Sequence, residues 1–292
     1  MIRFLLILLS LTTAAAFAAS PDLRAAAMAQ LRSIAEPLFE HGAATEPRFD
    51  AFYTEMVEAL PPQEKAEQSL ELAINRRDGA AEYVMQNAQA WRGQFKSTPK
   101  LRTLINTSAD APLIEIRMAG FEIYLAQYGL EKSPAEVDRM LQQMAANPSK
   151  SSAWALWNIG VLGARGVDRE RVFRELLSAL NSGDQPLRRS ALEALAKFGG
   201  AEIVPPLLEI ASHEPDPVLR ERAFCALAQS GTLLVAERYE AVPGLFAIVE
   251  DVQSDKQSVL WAYQALREIT DSYGEPNDAA KWRDRLQQAG LL

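Results

Sequence analysis

Apolar residues recur three and four positions apart in this chain, the spacing that lines one face of an α-helix, in a succession of segments punctuated by proline, glycine or aspartate. Two of these segments nearly repeat each other: DQPLRRSALEALAKFG at 184–199 and DPVLRERAFCALAQSG at 216–231. Aligning Asp184 with Asp216 also pairs Leu187 with Leu219, Arg188 with Arg220, Ala191 with Ala223, Ala194 with Ala226, Leu195 with Leu227 and Gly199 with Gly231. DKQSVLWAYQALREIT begins at Asp255, with Val259 at the arginine position. NPSKSSAWALWNIGVLG begins at Asn147, and IEIRMAGFEIYLAQYG is a weaker copy with Arg117, Gly120 and Gly129. The starts at 110, 147, 184, 216 and 255 are spaced by 37, 37, 32 and 39 residues, a helical-repeat period.

Each unit has a second amphipathic half: SPAEVDRMLQQMA, VDRERVFRELLSAL, AEIVPPLLEIAS, AVPGLFAIVED and NDAAKWRDRLQQAG. Two helices per unit follow. Aspartate or asparagine before the first helix is expected to accept the free amide hydrogens of its opening turn, and proline there sacrifices no helical donor. Glycine after the first helix, Gly163, Gly199 and Gly231 among them, is expected to stop it in the left-handed conformation. The prolines of VPP and AVP fall in the first turn of the second helix, where they do no harm. Ala191, Ala194, Ala223 and Ala226 let neighbouring helices approach closely, while Leu195 and Leu227 fill the space between layers. One such pair cannot cover its apolar face alone, so successive pairs are expected to stack.

These residues resemble the HEAT-repeat family over about 110–292, especially the short bacterial type also found in phycobilin lyase-like proteins. The resemblance rests on Asp216, Pro217, Leu219, Arg220, Ala223, Ala226, Leu227 and Gly231 in a first helix, and on Val242, Pro243, Leu245, Glu250 and Asp251 in a second. It implies an all-α fold, a right-handed α-solenoid of about five helix pairs with a helical N-terminal region. It also implies a ladder between repeats formed by Asp184, Arg188, Asp216 and Arg220, which Val259 is expected to end before the last unit. The tail LREITDSYGEPNDAAKWRDRL is similar to the closing segment of bacterial HEAT proteins, with Trp282 as its capping aromatic. A tetratricopeptide array has a similar period, but its tryptophan, glycine and tyrosine pattern is missing.

Residues 19–109 read as less regular helices. The stretch 62–109 is expected to continue the stack in degenerate form, and 19–60 to form a cap or a small separate piece. FKSTPKLRTLINTSADAP, near 95–112, reads as the joint before the repeats at 110–292. At the start, Arg3 precedes an apolar run from Phe4 to Leu11, and Ala16, Phe17 and Ala18 form a small-x-small cleavage site, so 1–18 is expected to be a signal peptide rather than a membrane anchor. Its loss removes one positive charge, Arg3, from a net −8 and leaves −9. Such a surface disfavours nucleic acid and anionic lipid. The expected destination is periplasmic or secreted, with no membrane insertion after cleavage.

Candidate chemistry is sparse. His41 and His213 each stand beside a helix end, Cys225 is the one cysteine, and no HExxH or CxxC motif is present. No phosphate loop or GxSxG elbow appears, and GVLGARGV at 160–167 falls where a first helix should turn. No catalytic residue, cofactor or metal is expected. Trp154 with Trp157, Trp261 with Tyr263, and Phe49, Phe52, Tyr53 and Met56 read as packing aromatics, some of which could anchor a partner. The connection TLLVAERYEA at 232–241, with Leu234, Val235 and Tyr239, is a further contact candidate. The reading that follows is an exported noncatalytic adaptor whose concave side, built by second helices, binds a protein or peptide through Arg169, Arg171, Arg174 and Glu209. The alternative is a lyase-like or cofactor-chaperoning accessory protein.

Overall fold

The computed structural model describes residues 51–292, which are helical, with no strand among the described residues. The expected signal peptide, Phe49 and His41 lie outside them. Contacts divide the chain into two compact units, Pro47–Tyr273 and a second that contains Gly274–Leu292.

The larger unit opens with α1 (Ala51–Glu58), α2 (Pro62–Ile74), α3 (Ala80–Asn87), a single 3-10 turn (Ala88–Trp91), α4 (Pro99–Ala109) and α5 (Ile114–Gln127). Leu70, Val84 and Leu101 share one core with Ala119 and Ile123 of α5. The stretch near 95–112 is therefore not an open joint. Thr98 accepts the Leu101 amide hydrogen to cap α4, Pro99 begins the helix, and Leu101 is fully buried. A boundary at 109 falls inside this shared core.

The repeats proper are α6 (Pro134–Ala146), α7 (Pro148–Ala164), α8 (Arg169–Leu180), α9 (Gln185–Phe198), α10 (Val204–His213), α11 (Pro217–Cys225), the short α12 (Val235–Tyr239), α13 (Val242–Glu250) and α14 (Lys256–Thr270). The first helices α7, α9, α11 and α14 lie side by side in sequence order. Each second helix packs against the first helix of the following unit: α6 on α7, α8 on α9, α10 on α11 and α13 on α14. This is an all-α solenoid, in which each pair hides its apolar stripe only by lying against its neighbours.

Local chemistry sets the helix ends. Asp184, Asp216 and Asp255 each accept a backbone N–H of the following turn. Asn147 makes no such side-chain bond, and Pro148 alone marks the start of α7. Of the glycines expected as left-handed stops, Gly129 and Gly199 have a positive φ, +68° and +66°, whereas Gly163 and Gly231 do not. Gly163 lies inside α7, and a Cβ there would sit 2.6 Å from the Phe198 ring and 2.9 Å from Val172. The chain needs the missing side chain there, not the turn. At Gly231 the stop is of a different kind: α11 widens into a π turn over Ala226–Ser230, and the Gly231 N–H bonds to the Ala226 carbonyl.

Two first helices approach closely at Gly160 of α7, where an added Cβ would lie 2.5 Å from the Ala194 carbonyl oxygen of α9. A methyl there has backbone, not a flexible side chain, to displace.

Gly274–Leu292, taken by itself, carries α15 (Ala279–Gln288), capped by Asp278. Trp282 is fully buried and donates its indole N–H to the Pro276 carbonyl at 2.9 Å, and Arg285 pairs with Glu275 at 2.8 Å.

The close approach has a measurable consequence. Gly160→Ala should lower stability by about 1–3 kcal/mol in urea unfolding, as overpacking does, even though alanine is the better helix former. Gly183→Ala, placed where nothing lies within 4 Å of the new Cβ, should cause no such loss.

Candidate partner-binding groove

Ion pairs and caps between repeats fix the positions of the first helices. Arg188 of α9 reaches Glu214 at 3.0 Å, not an aspartate, while Gln185 takes the Asp216 carboxylate. Arg220 of α11 reaches Asp255 at 3.2 Å and Ser258 Oγ at 3.1 Å. The ladder thus extends into the last unit instead of ending before it. Val259 lacks a donor to carry it onward, but it does not prevent the preceding arginine from landing on Asp255.

Asp255's carboxyl is held below the usual carboxylate range, chiefly by the hydrogen bond from Ser258 Oγ at 2.6 Å. Burial opposes this, and the Ser258 and Gln257 amides and the Arg220 charge support it. Asp184, at the first rung, caps α9 through the Leu187 amide.

The residues expected to bind a partner are placed differently from one another. Arg169 is consumed by the fold: its guanidinium donates to the Gly163, Phe198 and Gly199 carbonyls, pairs with Glu202 at 2.7 Å and lies 4.0 Å from the Phe198 ring centroid. It closes the C-terminal ends of α7 and α9. Arg171 ties α8 to α6 through Asp138 at 2.6 Å. Arg174 pairs with Glu170 along its own exposed helix face, and Glu209 lies 3.2 Å from His213. Tyr239 is half-buried at the end of α12, next to the exposed Leu234 and Val235. Arg169 and Arg171 are thus taken up by the packing of helices, while Arg174 and Glu209 remain on exposed helix faces.

Sequence spacing did not point to the strongest tie. Arg117 of α5, buried, donates through Nε to the Ala111 carbonyl at 2.5 Å and through its terminal nitrogens to the carbonyls of Gln229, Ser230 and Gly231 at 3.0–3.4 Å. Arg238 approaches the same chain end, bonding the Leu227, Gln229 and Gly231 carbonyls. The π turn leaves these oxygens without helical donors, and cations at a helix C-terminus also oppose its negative dipole end. Burial pushes the Arg238 guanidinium down to about 10, with Arg117 adding to the effect, and it stays charged at neutral pH. A second buried charge, Glu122 of α5, takes Arg165, just past the end of α7, at 2.6 Å and Lys132 at 2.9 Å.

Between α7, α9 and α11 lies a groove of about 520 Å³ lined by Trp157, Leu192, Lys197, Val218, Cys225 and Gln229, among others. It lies on first helices, whereas the sequence reading placed recognition on second helices. Trp157 is half-buried against Tyr124, ring centroids 4.3 Å apart, and Val218 is an exposed apolar residue at the rim. A smaller hollow of about 60 Å³ shares Cys225 and Gln229 and extends to Trp261. Cys225 is half-buried, and burial, followed by Glu221 and Glu268, pushes its thiol up, so it is a poor nucleophile. The signal that could have located this groove is register: Lys197 and Gln229 occupy the same position of adjacent repeats on helices otherwise rich in alanine and leucine.

Among the described residues, no group of three or more His, Cys, Asp or Glu is gathered to hold a metal ion, and no helix is long and apolar enough to cross a membrane. Residues 137–228 match a family model described as HEAT repeats, so the repeat family read from the sequence holds for that stretch, which contains most of the groove. No curated protein matches the chain.

Two predictions come from these ties. Arg117→Met should cost about 1.5–3 kcal/mol in chemical unfolding, the range for hydrogen bonds made by a charged group, because buried carbonyls lose a donor. Asp255 lends stability that is present above the unfolded carboxylate value and is lost as pH falls through its lower folded value. Ser258→Ala should raise the Asp255 titration midpoint, followed by NMR, more than Arg220→Met does.

Proposed function

We propose that this chain is an exported, noncatalytic scaffold that binds a partner protein or peptide along the faces of its first helices. HEAT repeats commonly mediate protein–protein interaction, and HEAT-repeat proteins are generally scaffolds rather than catalysts. The observation that carries the reading is the groove itself. It spans three consecutive units, and it offers a half-buried indole at Trp157 beside an exposed apolar rim at Val218. Aromatic anchors seated in partly desolvated hollows dominate interface energetics. Export rests on the pattern at 1–18, and a periplasmic or secreted location follows from it.

The full chain, expressed with its native N-terminus and affinity-tagged at the C-terminus, should recover one stoichiometric protein from an envelope fraction. Val218→Asp, at an exposed site that leaves folding intact, should reduce that recovery at least tenfold. Recovery unchanged by Val218→Asp and by Trp157→Ala would remove the groove from the account.

A further inference from the structure

α5 belongs to the N-terminal helices by one face and meets the repeats with the other. Ala119, Ile123 and Ala126 lie in the core shared with α2, α3 and α4, and Gly120 leaves no room for a Cβ beside Ser108 of α4. Arg117, Phe121 and Tyr124, spaced by four and three residues, stand together on the opposite side. Phe121 and Tyr124 face the Trp157 indole of α7, with ring centroids 6.0 and 4.3 Å away. Arg117 reaches the Gln229, Ser230 and Gly231 carbonyls beyond α11. Trp157, Gln229 and Ser230 all line the groove, so α5 touches both outer helices of the three that form it and borders the groove without filling it.

A stack whose units rest on their neighbours does not require that reach, which skips the units of α7 and α9. The extended packing of α5 is with α2, α3, α4 and the 3-10 turn, and its ties to the repeats are side-chain contacts. Nor does the π turn depend on Arg117 alone. Arg238 of α12 already donates to the Gln229 and Gly231 carbonyls, so two guanidiniums crowd one helix end and their like charges oppose each other there. The chain passes from α5 to α6 through the nonhelical Tyr128–Ser133, which turns at Gly129, where no atom lies within 4 Å of an added Cβ. Lys132 of this connection and Arg165 both pair with the buried Glu122, which places these ion pairs beside the connection.

Resting on the scaffold reading, we infer that residues 51–127 form a movable body that pivots on 128–133, latched to the repeats by Arg117. Latched, it holds Phe121 and Tyr124 over Trp157; released, it presents the whole indole to a partner in the groove. Release leaves the π turn capped, because Arg238 keeps the Gln229 and Gly231 carbonyls bonded. The N-terminal core moves intact, since the face of α5 that joins it is not the face that lets go. A partner that uses the covered side of Trp157 binds the released form more tightly, so loss of the latch strengthens its binding.

The test measures distances between spin labels in the full chain, by pulsed electron resonance in a Cys225→Ser background. One pair, at the exposed positions Glu82→Cys and Arg174→Cys, spans the two bodies; Glu82→Cys with Arg102→Cys, and Arg174→Cys with Glu209→Cys, each lie within one body. With Arg117 in place the spanning pair should give one dominant distance. Arg117→Met should add a second, displaced population, Arg117→Lys a smaller one, and both internal pairs should keep their distances. Envelope recovery by the otherwise unlabelled chain should rise at least threefold with Arg117→Met. A spanning distance unchanged in both variants overturns the inference, as do internal distances that change along with it in both, which would mean unfolding and not pivoting. If recovery depends on Val218 but does not rise with Arg117→Met, the scaffold reading stands and the latch falls. If the second population appears but no stoichiometric partner is recovered from any variant, the latch stands and the scaffold reading falls.

Discussion

Two helices can lie as near as α7 and α9 only where one of them presents no side chain to the other. Gly160 supplies that gap, opposite the Ala194 backbone, and Gly163 supplies a second under the Phe198 ring. The rest of the repeat region depends on this contact. It brings one unit's apolar stripe within van der Waals reach of the next, so that Leu156, Ile159, Leu192 and Leu195 become fully or almost fully buried without a central core common to all units. It also sets the distance at which Arg169 can close two helix ends at once.

Stacked helices create an electrostatic problem as well as solving a hydrophobic one. Parallel first helices bring their carbonyl-bearing ends to one side, where burial leaves oxygens in need of donors. Arginines meet that need at three of these ends: Arg169 at the ends of α7 and α9, Arg117 and Arg238 at the π turn after α11. The groove opens beside these helix ends.

What could be read from the sequence follows the range of the interactions. Caps by Asp184, Asp216 and Asp255 act within three residues, and the paired prolines act within one turn, so both were visible in local spacing. The alternation of first and second helices was visible because the pattern repeats. Arg117 was seen only as a letter in a weak repeat, because its partners lie 112 to 114 residues away and no local pattern encodes them. Gly163 and Gly231 were misread for a related reason: glycine serves close approach or a widened turn as readily as a left-handed stop, and only the neighbour decides which. Of the arginines on α8, Arg169 and Arg171 tie helices together, a duty that local spacing does not encode because their partners lie on other helices.

The most direct measurement of the central claim is hydrogen exchange, read by mass spectrometry on the full chain with and without its captured partner. A groove on the first helices predicts that bound partner slows exchange in 192–198 and 218–231 and leaves 169–180 and 204–213 unchanged. Slowing confined to the second helices, with the first helices unaffected, would contradict it.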